Sequence, residues 1–199
     1  NEQDNFIKRI AEVNPNTIVV LTTGSPVLMN EWIDNVDGLV EAWFAGEQTG
    51  NAIAEILLGE TNPSGKLPMT FPMSWEDCSA FNTYKKEDGT TRYEDGIFVG
   101  YRHFEKNNIK PLFPFGFGLS YTTFKYNDLK LSSKEIAKND KLIVTINVKN
   151  TGKVKGSEVV QLYVKDVQSS IDRPVKELKG FNKVSLNPGE EKTVEFTID

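Results

Sequence analysis

Cysteine and histidine each occur once among the 199 residues, as Cys78 and His103. A single cysteine cannot close an intrachain disulfide. One cysteine with one histidine cannot assemble a Cys/His zinc site within the chain. No apolar run approaches the ~20 residues of a membrane-spanning helix; the longest is residues 17–21. A glycine-rich phosphate fingerprint is also absent. Gly24 and Gly46 follow apolar runs, where α/β proteins place ligands, but each stands alone, so nucleotide binding has no support and no cofactor is implied. Charge of either sign is modest in excess: 23 Lys and Arg against 28 Asp and Glu leave −5, with no basic footprint for nucleic acid. His103 has no Ser or Cys motif around it. A nucleophilic triad therefore lacks support, and packing beside Tyr101 and Phe104 is its simpler role.

What is present divides into two grammars. In the first, residues 5–13 place Phe6, Ile7, Ile10 and Val13 at helical spacing, stopped by Asn14-Pro15. Residues 17–21 (Thr-Ile-Val-Val-Leu) predict a strand buried on both faces. Ser25-Pro26 suits a helix start, so a short helix is expected over 27–33. A second strand is expected over 38–43. A helix over 48–58 carries Ala52, Ile53, Ile56 and Leu57 on one face and ends at Gly59. Strands alternating with helices through short loops predict a parallel α/β sheet.

Residues 62–72 (Asn-Pro-Ser-Gly-Lys-Leu-Pro-Met-Thr-Phe-Pro) open with a turn signal and continue as an extended segment. We expect 66–71 to be the last strand of the α/β half, with Pro68 keeping it at an edge. A long charged loop follows over 72–96, too rich in aromatics to be simply disordered. Residues 111–123 combine Pro111, Pro114, Gly116 and Gly118 with Leu112, Phe113, Phe115 and Phe117, a linker pinned by its rings.

From Thr123 the period changes to two. Strands are expected over 124–131, 141–149, 157–165, within 174–186, and over 192–198, with a strong turn at Asn187-Pro188-Gly189. Short strands at regular spacing predict a fibronectin type III-like or immunoglobulin-like β-sandwich. About five strands are found where such sandwiches carry about seven, so the last hairpin is expected to be missing. The α/β half begins equally abruptly. The domain reading is 1–110 for a partial α/β sandwich, 111–123 for a linker and 124–199 for an all-β sandwich.

Motifs in a fixed order now support a resemblance. Residues 18–26 read Ile-Val-Val-Leu-Thr-Thr-Gly-Ser-Pro, and 39–50 read Leu-Val-Glu-Ala-Trp-Phe-Ala-Gly-Glu-Gln-Thr-Gly. The 62–72 stretch comes next, then 93–102 (Tyr-Glu-Asp-Gly-Ile-Phe-Val-Gly-Tyr-Arg) and 114–124 (Pro-Phe-Gly-Phe-Gly-Leu-Ser-Tyr-Thr-Thr-Phe). The sandwich adds 148–152, 156–163, 173–181 and 186–190. Together these resemble the C-terminal part of glycoside hydrolase family 3, of β-glucosidase type. The resemblance implies a retaining, exo-acting glycosidase, in which two carboxyl groups flank the scissile bond. It places the nucleophilic aspartate on a barrel domain and the acid/base glutamate before the strand matching 17–21. Neither motif is found here, so no catalytic residue is assigned to this chain. The implied partners are a missing N-terminal barrel and, through the whole enzyme, an oligosaccharide or glycoside. Alternatives are a β-xylosidase of the same family, a carbohydrate-binding module, or a structural sandwich that stabilises the enzyme or joins two copies.

Within this frame Trp75, Tyr93 and Glu94 are the candidate substrate-binding residues. Trp75, Phe81, Tyr84 and Tyr93 could offer rings to the C–H faces of a sugar, or could simply anchor the loop by burying area. The acidic pairs Glu87-Asp88 and Glu94-Asp95 are neighbours in extended chain, which points them apart. For Glu94 the simpler reading is an ion pair with Arg102 or Arg92.

Overall fold

The computed structural model describes residues 2–84 and 89–199. The pair Glu87-Asp88 lies outside the described residues. The chain forms two compact units: residues 1–57 with 68–115, and residues 58–67 with 116–199.

The first unit opens with α1, Glu2–Val13. Two parallel strands follow, β1 (Ile18–Leu21) and β2 (Gly38–Glu41), in register from Ile18 beside Gly38 to Leu21 beside Glu41. Among the described residues this sheet has two strands, and β1 is not buried on both faces as its β-branched run suggests: Ile18 is 52% exposed. The helix expected over 27–33 does not form. Met29 and Trp32, 1% and 2% exposed, are both driven into the core, and the backbone closes a turn (Trp32 N–H and Ile33 N–H onto Met29 O) before a 3-10 helix at Ile33–Asn35. Burial of two large side chains three residues apart needs one turn, and Trp32 also donates its indole N–H to Asp4 on α1 at 2.9 Å. A 3-10 turn at Gly46–Gln48 leads into α2, Thr49–Leu57. Later come a 3-10 turn at Trp75–Asp77 and α3, Tyr101–Lys106.

The extended segment 66–71 is not a strand of this sheet. Its single β-bridge joins Phe71 to Phe113. Phe71 is 1% exposed and packs against the rings of Trp43 and Phe113, at 6.1 and 6.3 Å. Residues 62–67 fold instead with the second unit. Backbone bonds at Leu67, whose N–H donates to Phe117 O and whose carbonyl accepts from Gly116 N–H, and the side chains of Asn62 and Lys66 fix this stretch.

The second unit is the sandwich. One sheet has the order β3 (Phe124–Leu131), β4 (Leu142–Asn150), β7 (Glu191–Ile198); the other pairs β5 (Gly156–Val164) with β6 (Glu177–Leu186), all antiparallel. Alternation does what it predicts. Val148, Val160, Leu186 and Val194 are buried between the sheets, with Phe124, Ile146, Val184 and Phe196 packed around them. Residues 116–123, within the expected linker, carry no helix or strand and belong to this unit.

A polar patch sits on the β3 and β5 strands. The Tyr126 hydroxyl donates to Glu158 at 2.9 Å. Burial, then the bond to and charge of Glu158, push the Tyr126 phenol far above its ordinary value. A raised acid favours the neutral form in the fold, so its stabilising share is present below pH ~10 and is lost above it. In a spectrophotometric titration Tyr126, although 42% exposed, is expected to ionise at higher pH than the other tyrosines, and Glu158→Gln is expected to bring that step down. Ionisation of Tyr126 together with exposed tyrosines near pH ~10 would refute this.

Candidate functional site

The loop after Phe71 is built from the bottom by local bonds. Ser74 caps the Trp75–Asp77 turn: its side chain accepts from the Asp77 backbone, while its own N–H donates to Asp77 Oδ2 at 2.9 Å. This reciprocal capping box holds Trp75 at the head of the turn, 42% exposed. Phe81 and Tyr84 meet its ring edge-on, each at 6.1 Å. Tyr84 remains 53% exposed. The three rings therefore support one another and still present a face to solvent. Tyr93 is not part of this cluster; it is 93% exposed.

Beside the rings lies a cavity of about 330 Å³. The turn after the 3-10 helix contributes Ser79, Asn82 and Thr83, the following turn Glu94, Asp95 and Phe98, and one face of α3 contributes His103, Lys106 and Asn107. Spacing of three and four on a helix puts those last three on one side. The structure thus brings Glu94 to a cavity wall and leaves Trp75 and Tyr93 outside its lining. Among the described residues Glu94 forms no ion pair with Arg92 or Arg102. The Arg102 guanidinium instead lies over the Tyr101 ring, 5.5 Å from its centre.

His103 is held in one orientation. Its Nε2 faces the Asp77 carbonyl at 3.1 Å and must donate to it; its Nδ1 faces the Asn107 amide at 3.3 Å and accepts from it. Both nitrogens are used by a neutral ring. Its ring meets Phe104 edge-on at 5.7 Å. Lys106 lies over the Phe98 ring at 3.5 Å. Asp95 Oδ1 is buried with no hydrogen-bond partner among the described residues. Cys78 is half-buried, and burial with the charges of Asp77 and Glu76 raises its thiol, which favours the protonated form. Among the described residues no three His, Cys, Asp or Glu side chains are placed to share a metal ion. Amides, a lysine and two carboxylates around one hollow match hydroxyl-rich ligands better than apolar ones. Sequence reasoning singled out Glu94 but missed His103, Lys106 and Asn107 as a lining; their helical spacing was the available signal.

An α/β unit bearing this loop, followed by a fibronectin-like sandwich, is the arrangement of one enzyme family's C-terminal half. The family model for the glycosyl hydrolase family 3 C-terminal domain matches residues 1–121, and that for a fibronectin type III-like domain matches 158–199. The chain belongs to glycosyl hydrolase family 3. The thermostable beta-glucosidase B of Acetivibrio thermocellus is 52% identical over 197 residues, covering 99% of this chain and 26% of that protein. A probable beta-glucosidase I of Aspergillus niger is 46% identical over 201 residues, covering 98% and 24%. Among solved structures, the beta-glucosidase from Kluyveromyces marxianus in complex with glucose superimposes with a TM-score of 0.90 at 44% identity, covering 100% of this chain and 23% of that one. Beta-glucosidase 3B from Thermotoga neapolitana in complex with glucose gives 0.91 at 40%, covering 100% and 28%. The chain spans about a quarter of the length of these relatives.

Proposed function

We propose that this chain is the C-terminal part of a retaining, exo-acting β-glucosidase that hydrolyses the O-glycosyl bonds of β-linked oligosaccharides. The observation that carries the reading is similarity over essentially the whole chain to proteins named beta-glucosidase, two of them crystallised with glucose. The chain supplies one wall of the substrate site, through Trp75, Tyr93 and Glu94, and the two catalytic carboxyl groups lie outside residues 1–199. Retention requires those groups about 5–5.5 Å apart, one as nucleophile and one as acid and then base. Trp75 serves as a ring for a sugar face, held ready by Phe81 and Tyr84. The preformed capping box means that little ordering is left for binding to impose.

The enzyme containing this chain is expected to release β-glucose first from 4-nitrophenyl β-D-glucopyranoside, seen by proton NMR. It is expected to prefer the glucoside to the corresponding xyloside. Trp75→Ala in that enzyme is expected to lower kcat/KM on cello-oligosaccharides about tenfold. The isolated chain is expected to hydrolyse neither glycoside. Hydrolysis by the isolated chain at the whole enzyme's rate would overturn this reading, as would a first product of inverted configuration.

A further inference from the structure

The chain leaves the sandwich unit at Leu67 and rejoins it at Gly116, so residues 68–115 form an excursion flanked by two ends, Leu67 and Gly116, that both belong to that unit. The ends are tied to each other. Leu67 N–H donates to Phe117 O, and Gly116 N–H donates to Leu67 O, both at 2.8 Å. They are also tied down by side chains. Lys66 Nζ donates to Gly118 O at 2.7 Å and pairs with Glu158 on β5 at 3.1 Å. Both charged side chains are largely buried, 15% and 13% exposed, and Tyr126 gives Glu158 a further bond. Asn62 accepts from the Ser120 hydroxyl and Tyr121 N–H, and donates to Lys155 O at 3.0 Å.

Close approach of the two legs is required at Gly118. A Cβ on Gly118 would lie 2.1 Å from Gly65 O, and one on Gly116, at φ +79°, would lie 2.2 Å from the Gln161 side chain. Gln161 in turn donates to Gly116 O at 3.0 Å. A mostly buried ion pair adds little stability over an apolar pair of the same shape, but it specifies one arrangement. Here the arrangement specified is the neck of the excursion that carries Trp75, Tyr93 and Glu94.

We propose that Lys66 and Glu158 are positioning residues: within the sandwich unit they fix, side by side, the two legs 62–67 and 116–120 from which the 68–115 excursion leaves and to which it returns. This rests on the function proposed above. Lys66 bridges the outgoing leg to the returning leg and to the sandwich at once, a role for which a single flexible ammonium with three donors is suited. Removing it leaves the Gly118 carbonyl and the Glu158 carboxylate without their cation.

The test uses two preparations. In the 199-residue chain, Lys66→Met is expected to speed amide hydrogen exchange at Phe71 and Leu112 at least about tenfold, while Val148 and Val194 in the sandwich core stay protected. In the whole enzyme, Lys66→Met and Glu158→Gln are expected to raise KM for 4-nitrophenyl β-D-glucopyranoside about fivefold with kcat within about twofold. Lys66→Arg is expected to restore most of both. Exchange that is unchanged, or that rises equally in the sandwich core, would overturn the proposal. So would a KM that does not move when the exchange does. A whole enzyme inert toward β-glucosides would overturn the proposed function instead, and the exchange result would still uphold or overturn the fixing of the two legs.

Discussion

Replacing Asn150 by alanine is expected to destabilise the sandwich unit by about 3–4 kcal/mol. Asn150 is fully buried, at 0% exposure, and uses its whole hydrogen-bonding capacity. Its Oδ1 accepts from the Thr122 hydroxyl at 2.6 Å and from Gly152 N–H at 3.0 Å. Its Nδ2 donates to Val154 O at 2.8 Å and to Leu186 O at 3.0 Å. One side chain therefore joins the segment before β3, the turn between β4 and β5, and the end of β6. Alanine leaves four polar groups short of a partner where little water reaches, and each costs on the order of 1–3 kcal/mol before relaxation. Asn150→Asp is expected to be no milder, because a carboxylate oxygen would face the carbonyls of Val154 and Leu186. Urea unfolding followed by the near-UV signal of Tyr126 and Tyr163 measures the effect. A loss below about 1 kcal/mol would show that Asn150 is not the tie it looks to be.

The second large effect is expected at Phe71. Phe71→Ala should cost the first unit about 3–5 kcal/mol, the range for truncating a buried aromatic side chain. The ring is 1% exposed between Trp43 and Phe113. Its backbone also carries a bridge at the base of the aromatic loop: its N–H donates to Phe113 O at 2.9 Å, and its carbonyl accepts from Leu112 and Phe113. Phe71→Leu keeps most of the volume and should cost about 1–1.5 kcal/mol. Tryptophan fluorescence reports on this unit alone, since Trp32, Trp43 and Trp75 all lie in it. The local consequence is as important as the global one. With the base loosened, the capped turn that presents Trp75 loses its footing, and sugar affinity should fall in step with stability. Full stability in Phe71→Ala would mean that the loop is held by other contacts.

Both sites illustrate what patterning can and cannot disclose. The period-two runs after Thr123 marked strands over 141–149 and 192–198, and in the fold their alternate residues Val144, Val148, Val194 and Phe196 lie on one side, because a strand's two faces follow from its pleat. The apolar spacing of Ile53, Ile56 and Leu57 marked α2 for the same kind of reason. Asn150 stood only inside the 148–152 motif. Its four partners come from three separate segments, and no local periodicity registers them. Residues 27–33 failed in the opposite way. Ser25-Pro26 is a sound helix start, yet burial of Met29 and Trp32 outweighs local propensity, which is a matter of tenths of a kcal/mol per residue.

The candidate site divides similarly. Trp75 and Glu94 stood out because aromatics and carboxylates on a long loop are the groups that meet sugars. Their relation to each other was not legible. Trp75 belongs to a ring cluster with Phe81 and Tyr84, Glu94 to a cavity wall shared with His103 and Lys106, and Tyr93 to neither. Side chains brought together across a loop depend on where its turns fold back, and that is set by burial and by bonds such as His103 to Asp77, 26 residues apart.

By itself the sequence determined the two grammars of this protein, its family resemblance and most of its strands, because backbone periodicity and motif order are local properties of a chain. Tertiary structure decided which partners 62–67 takes: its contacts are with the sandwich unit, while the C-terminal domain model runs through it to residue 121. That stretch is held by backbone bonds at Leu67 and by side chains that find distant partners: Asn62 on Ser120, Tyr121 and Lys155, and Lys66 on Gly118 and Glu158. A largely buried ammonium must be satisfied somewhere, and the folded sandwich provides the carboxylate and carbonyl that satisfy Lys66.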